Sequence, residues 1–178
     1  MNRSMKVKGL IIAIITVLTI SSNAQQINAE KSIVNFTAKG MFGKEVKGTF
    51  TGMKGEINFD VNDLDNASLD VSLDAASIFT DKKKRDNHLK SEDFLEVNTF
   101  TEIRFVSESI KKSDNGFITN GEIKMHGVNQ PATINFTFEN NTFTGNLQIN
   151  RFDYKIGEKI KTKMVAELID VEIICIMN

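Results

Sequence analysis

Asp86, His88 and Asp93 are the residues of this sequence whose types come closest to an acid–base group. A histidine between two carboxylates can accept and donate protons near neutral pH. No serine or cysteine stands beside them in a recognisable nucleophile elbow, and residues 86 and 88 of a helix point to different faces. We therefore predict no catalytic residue, and an enzyme that uses this group is the least favoured of three functional hypotheses.

The two histidines do not have the spacing of a metal site. His88 and His126 lie far apart in the chain, and neither belongs to a pair such as His-x-x-x-His. We expect His126 to end a strand in front of a turn at Gly127. Neither a metal ion nor a cofactor is predicted.

The run KKKR at residues 82–85 is the second feature with chemical potential, because clustered bases can bind an anion. Asp81 and Asp86 flank the run, so the simpler interpretation is the solvated face of a short helix. We expect this helix near residues 81–90, as a crossover or plug between strands, with Asp81 as its cap. Three apolar side chains would anchor the segment to the rest of the domain: Leu89, Phe94 and Val97.

The rest of the chain shows the alternation of half-buried β-strands. In residues 67–74, leucine and valine alternate with serine and aspartate, so that one face is apolar and the other polar. Strands recur about every ten residues without a long helical period, which indicates an antiparallel sandwich or barrel. The other runs of this kind are residues 55–60, 101–108, 116–126, 131–139, 141–150 and 166–177.

Nearly all aromatic residues of the chain are phenylalanine. The 178 residues include thirteen Phe, one Tyr and no Trp. Phenylalanine has no polar group with which to orient a ligand. This usage predicts an apolar interior that discriminates little by hydrogen bonding.

The N-terminus resembles a secretory signal. Arg3, Lys6 and Lys8 precede an apolar run over residues 10–20, and small residues end at Ala24. A membrane anchor is the alternative, but the apolar run is about half of the ~20 residues that a span needs. We therefore predict cleavage after Ala24 and a periplasmic or secreted protein.

The remaining residues, 25–178, are predicted to form one domain. Loss of the three bases in the signal, from 22 basic and 23 acidic residues, leaves a net charge of −4. Such a charge is poorly suited to nucleic acid, which is bound by neutralising its phosphates. Cys175 is the single cysteine, so no internal disulfide can form, and its apolar neighbours predict an inert core position.

Several segments in a fixed order are similar to the YceI-like family, and together they extend over residues 30–176. The most specific are RDNHLKSEDF and the later GEIKMHGVNQPATI, since either alone would be weak. Two departures are conservative in shape: Phe100-Thr101 replaces an aromatic-Pro pair, and Asp93-Phe94-Leu95 replaces Asp-Phe-Phe. The segments that carry the resemblance are VKGTFTGMKGEINFD (46–60), ASLDVSLDAASIFTD (67–81), KRDNHLKSEDFLEVNTFTEIRFVSESI (84–110), NGEIKMHGVNQPATINFTF (120–138) and NRFDYKIG (150–157).

The resemblance implies an all-β fold: an antiparallel, lipocalin-like β-barrel of about eight strands that holds a polyisoprenoid chain in an apolar tunnel. Members of the family are periplasmic or secreted and are not established enzymes. A barrel of this size has room for packed side chains or for one small ligand. The residues that we predict to line the interior are Phe36, Phe50, Ile57, Phe59, Leu69, Val71, Phe105, Ile123, Phe136, Phe138, Leu147 and Ile149.

The expected partner is therefore a polyisoprenoid or an isoprenoid quinone-like lipid, with no nucleic acid and no membrane span after signal cleavage. Lys83, Lys84 and Arg85 are the predicted contacts for a phosphorylated or quinone head group. The sequence leaves a homodimer open. The main alternative is a solid structural or stress-related barrel that holds no ligand and acts through its surface.

Overall fold

The computed structural model describes residues 26–178. The predicted signal segment, residues 1–24, lies outside the described residues. Nine strands and one short α-helix, α1 (Lys83–Lys90), follow one another along the described chain. The strands are β1 (Ile33–Gly40), β2 (Glu45–Phe50), β3 (Lys54–Asn58), β4 (Ser68–Asp74), β5 (Glu102–Ser113), β6 (Gly116–Met125), β7 (Val128–Glu139), β8 (Thr142–Asn150) and β9 (Val165–Ile176).

All nine strands belong to one antiparallel sheet in the order β2-β1-β9-β8-β7-β6-β5-β4-β3. The sheet curls around an apolar interior, so the predicted class, an antiparallel lipocalin-like barrel, is confirmed. Within the described chain the edge strands β2 and β3 do not pair with each other. A short bridge from Thr49 to Phe79, and hydrogen bonds between Thr51 and the Ser77 hydroxyl, connect the edge of β2 to the segment that follows β4.

Tight turns join most neighbouring strands. Asn140 and Asn141, between β7 and β8, both have positive φ (49° and 58°), and so do His126 and Gly127 between β6 and β7 (51° and 74°). Two consecutive left-handed residues match the twist of a hairpin, and asparagine and glycine tolerate that conformation best. As expected, His126 lies in a turn directly after its strand.

The alternation of the strands determines which side chains face inward. Every lining residue predicted from the sequence either belongs to the buried core or packs against it. A register error of one residue would instead have placed these side chains on the outer face of their strands. The outer face carries polar pairs such as Asp70 with Arg104, whose Nε donates to Asp70 Oδ1 at 2.7 Å.

The helix predicted near residues 81–90 is present as α1, but the predicted cap is wrong. Lys82 occupies the N-cap position without a side-chain capping bond to any described residue, and Asp81 has a left-handed φ of 59°. The buried carboxylate that organises this turn is Asp86. Its Oδ1 accepts the Thr80 amide at 2.9 Å and also the Thr80 hydroxyl.

The segment after α1 folds back over one end of the barrel. Phe94 and Val97 are buried, and Leu89 is half-buried against them and the core. The prediction that these three residues anchor the charged segment is therefore confirmed. Apart from the buried Asp86, most charged side chains of the segment are exposed, such as Lys83, Lys84 and Asp93.

Candidate functional site

One end of the barrel, here called the closed end, is filled by phenylalanine rings. Phe59 lies at the centre of this cluster and is 5% exposed. Its ring is 5.1 to 5.7 Å from four others, in edge-to-face arrangements that aromatic rings favour: Phe117, Phe136, Phe138 and Phe143. An open surface pocket, lined by Phe117 and Phe136 together with polar residues of the β5–β6 turn, lies on the outer side of this cluster.

Above the cluster lies an inner chamber of about 180 Å³, which is lined almost wholly by apolar side chains. Strands from all around the sheet contribute to it, since each sends alternate residues inward. Eight of the predicted lining residues surround this chamber: Phe36, Phe50, Ile57, Val71, Phe105, Ile123, Leu147 and Ile149.

A middle chamber of about 140 Å³ follows towards the other end of the barrel. It shares the side chains of Phe36, Phe50 and Ile149 with the inner chamber, so the two are adjacent. Leu89 and Phe94, from the segment that covers this end, form part of its wall. The covering segment is thus a wall of the interior as well as a charged surface feature.

The outer chamber, about 670 Å³, opens at the end opposite the phenylalanine cluster, which we call the mouth. It shares Ala38 and Leu89 with the middle chamber. Its volume is in the range of small-molecule sites. Its wall is apolar apart from one set of basic and histidine side chains: Lys44, Arg85, His88, Lys159 and Lys161. Within residues 26–178, no carboxylate contributes to this wall.

The remaining predicted residues lie elsewhere. Phe59, Phe136 and Phe138 belong to the phenylalanine cluster, and Leu69 packs against the core without lining a chamber in the described chain. These positions face the interior as expected, but ring packing fills the space around most of them. The alternation identified the inward face, not the hollow part of it.

The predicted head-group contacts divide according to the geometry of α1. Arg85 and His88 are three residues apart, lie on one helix face and line the outer chamber. Lys83 and Lys84 are exposed on other faces of α1 and do not belong to the described wall of the outer chamber. Arg85 is held in place by Thr80, through Nε to Oγ1 and Nη2 to the carbonyl oxygen, both at 2.7 Å.

Arg151 organises the loop that borders the mouth, a role that the sequence analysis did not assign. The side chain is 3% exposed, and its guanidinium donates to five backbone carbonyls at 2.6 to 3.2 Å. Burial lowers the pKa of the guanidinium from its usual value, although Glu167 opposes the shift. The carbonyl groups that accept these bonds belong to Ile156, Gly157, Ile160, Val165 and Ala166.

Lys44, Lys159 and Lys161 were also missed, because they come from two loops far apart in the chain. Lys44 follows the β1–β2 turn, and the other two lie in the loop that Arg151 holds. The run KIGEKIKTK after the NRFDYKIG motif was the available signal in the sequence. Only the pairing of β1 with β9, which brings Gly40 opposite Val165, shows that the loops meet.

The acid–base trio is not assembled as a unit. His88 Nε2 is 3.5 Å from Asp93 Oδ2, and both side chains are about half exposed. The Asp86 carboxylate is instead buried and bonded to Thr80. Among the described residues, no serine hydroxyl or cysteine thiol is hydrogen-bonded to either imidazole ring, and the Ser91 hydroxyl donates to the backbone carbonyl of His88.

His126 and Cys175 are inward-facing groups with structural surroundings. His126 Nδ1 lies 2.9 Å from the Tyr154 carbonyl oxygen, and its buried Nε2 is 3.8 Å from Glu96 Oε2. Burial raises the pKa of the Tyr154 hydroxyl to about 12 and that of the Cys175 thiol to about 11. Cys175 is thus a protonated core thiol at the floor of the inner chamber, as its sequence context predicted.

Within residues 26–178, no group of three or more His, Cys, Asp or Glu side chains is arranged to hold a metal ion. In the same part of the chain, no helix has the length and the apolar character that crossing a membrane requires.

A single curled antiparallel sheet, closed at one end by aromatic packing and open at the other onto apolar chambers, defines a lipocalin-like barrel. The YceI-like domain profile matches residues 25–175, and the chain belongs to that family. A UPF0312 protein of Pseudomonas fluorescens is 30% identical over 141 residues, which cover 70% of this chain and 71% of that protein. A second UPF0312 protein, from Vibrio campbellii, is 28% identical over 143 residues, or 78% of this chain and 75% of the relative.

Solved structures share the fold at low sequence identity. BcnA of Burkholderia cenocepacia superimposes with a TM-score of 0.78 at 23% identity, over 84% of this chain and 98% of that one. A polyisoprenoid-binding domain from Saccharophagus degradans, implicated in plant cell wall breakdown, gives a TM-score of 0.64 at 15% identity. That superposition covers 85% of this chain and 96% of the other.

Proposed function

We propose that this chain is an exported, non-catalytic binding protein that holds a polyisoprenoid or a similar long apolar lipid inside the barrel. The observation that carries the proposal is the series of three adjacent apolar chambers leading from the mouth to the phenylalanine cluster. Export is proposed from the signal pattern in residues 1–24. The polyisoprenoid-binding neighbour of the same fold supports the ligand class.

The chemistry of the walls suits a ligand without polar groups along its length. The inner and middle chambers are lined by side chains such as Ile57, Val71 and Ile169, with no tyrosine or tryptophan in the described lining. Apolar burial contributes roughly 25 cal/mol per Å². A tail that buries about 400 Å² would thus gain on the order of 10 kcal/mol before the cost of immobilisation.

An anionic head group would stay at the mouth. Lys44, Arg85, Lys159 and Lys161 line the outer chamber without a carboxylate beside them in the described wall. A phosphate or pyrophosphate placed there would find several donors of positive charge. We therefore infer that the head group binds these residues, in place of the predicted Lys83 and Lys84.

A ligand-free structural barrel is the second candidate, because the phenylalanine cluster fills the closed end completely. The two functions differ in what happens when the chambers are narrowed. Ala38 is buried between the outer and middle chambers, so Ala38→Leu would place a larger side chain in the path of a tail. Ala67→Leu makes the same change near the closed end, at a partly buried residue outside the chambers.

The experiment begins with organic extraction and native mass spectrometry of the full chain purified from its export compartment. We expect an apolar passenger in the wild-type protein and in Ala67→Leu, and a loss of about tenfold or more in Ala38→Leu. A protein that carries nothing, and that does not bind a fluorescent prenyl alcohol added in detergent, would favour the ligand-free barrel. Equal losses in both variants would mean that general destabilisation, not the chambers, determines binding.

A further inference from the structure

The tip of the β1–β2 hairpin exposes a phenylalanine in a strained conformation. Phe42 is 90% exposed, at the centre of the 3-10 turn Met41–Gly43. Its φ of 59° and ψ of 28° lie in the left-handed region, which a bulky side chain rarely adopts. Glycine or asparagine would fit this backbone at lower cost. The turn therefore pays a conformational cost to keep a large apolar ring in water.

Two further apolar side chains surround this ring at the mouth. Met41 and Met164 are 45% and 44% exposed, and both line the outer chamber together with Phe42. The hairpin and the loop that Arg151 holds approach each other closely, since a Cβ built on Gly40 would be 3.7 Å from the Met164 carbonyl oxygen. The three side chains thus form one apolar rim, which we define as Met41, Phe42 and Met164.

Lysines flank the apolar rim on both loops. Lys44, Lys159 and Lys161 line the same chamber, and none of them forms an ion pair with a described residue. The nearby acidic side chains do not line this chamber. Glu45 Oε2 is 3.8 Å from Lys47 Nζ, and Glu158 is exposed beside Lys159. At the mouth, an otherwise mildly acidic protein therefore presents a basic collar around exposed apolar side chains.

We propose that the mouth docks on the surface of an anionic lipid bilayer. Met41, Phe42 and Met164 insert between the head groups, and the three lysines contact lipid phosphates. An apolar centre with basic residues around it is the pattern that binds anionic membrane interfaces. The docking deepens the proposed function, because it places the chamber opening against the source of the lipid, yet it does not require the interior to be occupied.

The test measures partitioning of the full mature chain onto vesicles by sedimentation. We expect binding to vesicles of phosphatidylcholine with phosphatidylglycerol, weak binding to phosphatidylcholine alone, and loss of binding when salt is raised from about 0.1 M to about 1 M. The triple variant Lys44→Gln, Lys159→Gln, Lys161→Gln should lower partitioning onto the anionic vesicles by about 100-fold, at about fivefold for each lysine.

Phe42→Asn separates docking from folding, because asparagine tolerates a left-handed φ. We expect its thermal midpoint to be unchanged or raised, while partitioning falls about tenfold. The matched control changes the closed end, where Val61 is 38% exposed and Lys111 and Lys112 precede the β5–β6 turn. Val61→Asn with Lys111→Gln and Lys112→Gln should bind the anionic vesicles as the wild type does.

Equal binding to neutral and anionic vesicles, or equal losses in the mouth and control variants, would overturn the docking. Binding of a prenyl alcohol in detergent, measured without vesicles, tests the chambers separately. A Phe42→Asn variant that keeps vesicle binding but loses the prenyl alcohol would refute the docking and leave the carrier function standing. A Phe42→Asn variant that loses vesicle binding but keeps the prenyl alcohol would support the docking and show that the chambers bind independently of it.

Discussion

The two ends of this barrel use the same inward-facing strand positions for opposite purposes. At the closed end, rings from β6, β7 and β8 meet Phe59, and the space between the strands is filled. At the mouth, smaller side chains such as Ala38 and Val165 face the interior, and chambers remain. One aromatic cluster therefore fills the interior at the closed end, while smaller side chains leave the other end open.

Polar groups are also distributed differently between the two ends. The closed end contains ring–ring contacts, whereas the mouth has the buried Arg151 guanidinium, bonded only to backbone carbonyls among its described partners. A guanidinium that satisfies five carbonyls fixes a loop that has no strand of its own. Ring packing therefore stabilises the closed end, and the hydrogen bonds of Arg151 stabilise the loop at the mouth.

The largest effect is expected at the closed end. Phe59→Ala would remove a ring that contacts four others and should lower the free energy of unfolding by about 4 kcal/mol, as measured by urea denaturation. Phe42→Ala, the same substitution at the exposed mouth turn, should leave stability nearly unchanged. A small decrease in the free energy of unfolding for Phe59→Ala would mean that the phenylalanine cluster contributes little to the stability of the barrel.

A smaller effect, confined to the mouth, is expected for Arg151→Met. The change keeps the length of the side chain but leaves buried carbonyls without a donor. We expect it to lower the free energy of unfolding by about 3 kcal/mol. Hydrogen exchange should accelerate in residues 152–165 and stay slow in the β5–β6 hairpin. Arg104→Met, at an exposed outer position, is the matched control, and a similar cost for both would contradict the assigned role of Arg151.

The smallest effect concerns Cys175, at the boundary between the inner chamber and the cluster. Because burial raises the pKa of its thiol from 9.0 to about 11, the folded protein holds a proton that the unfolded chain releases first. Stability should therefore fall slightly as the pH rises through that interval, since the unfolded state then binds fewer protons. At pH 8, alkylation should be about 100-fold slower in the native than in the unfolded protein. Rapid native labelling would show that the inner chamber opens to solvent.

Much of the wall could be predicted from the sequence, because alternation in a strand has one physical meaning. The inward residues of β7 and β8 follow directly from a period of two, whereas in β4 the polar Ser72 is more buried than its apolar neighbours. The predicted number of strands, about eight, is close to the nine strands of the described chain. β1 and β2 were not delimited, although Phe36 and Phe50 were assigned to the interior, because the turn between them is short and holds an atypical phenylalanine.

The site was harder to predict than the wall. Alternation cannot show where rings meet and where a gap is left, so Phe59 and Phe136 were expected to line a hollow that they fill. Charge runs in sequence also mislead: Lys83 and Lys84 are neighbours of Arg85, yet a helix turns them away from the chamber. Lys44 and Lys159 are far apart in the chain, and only the pairing of β1 with β9 brings their loops together.

The unpaired edges of β2 and β3 affect how firmly the circumference of the barrel is fixed. Where a ladder closes a barrel, its strand number and stagger fix the circumference. Here the described margins β2 and β3 do not form a ladder, and the edge of β2 is held instead to residues 77–79 by the Thr49–Phe79 bridge and the Ser77 hydroxyl. We therefore expect the circumference of the barrel to change most easily along this line, because few backbone hydrogen bonds would have to break there.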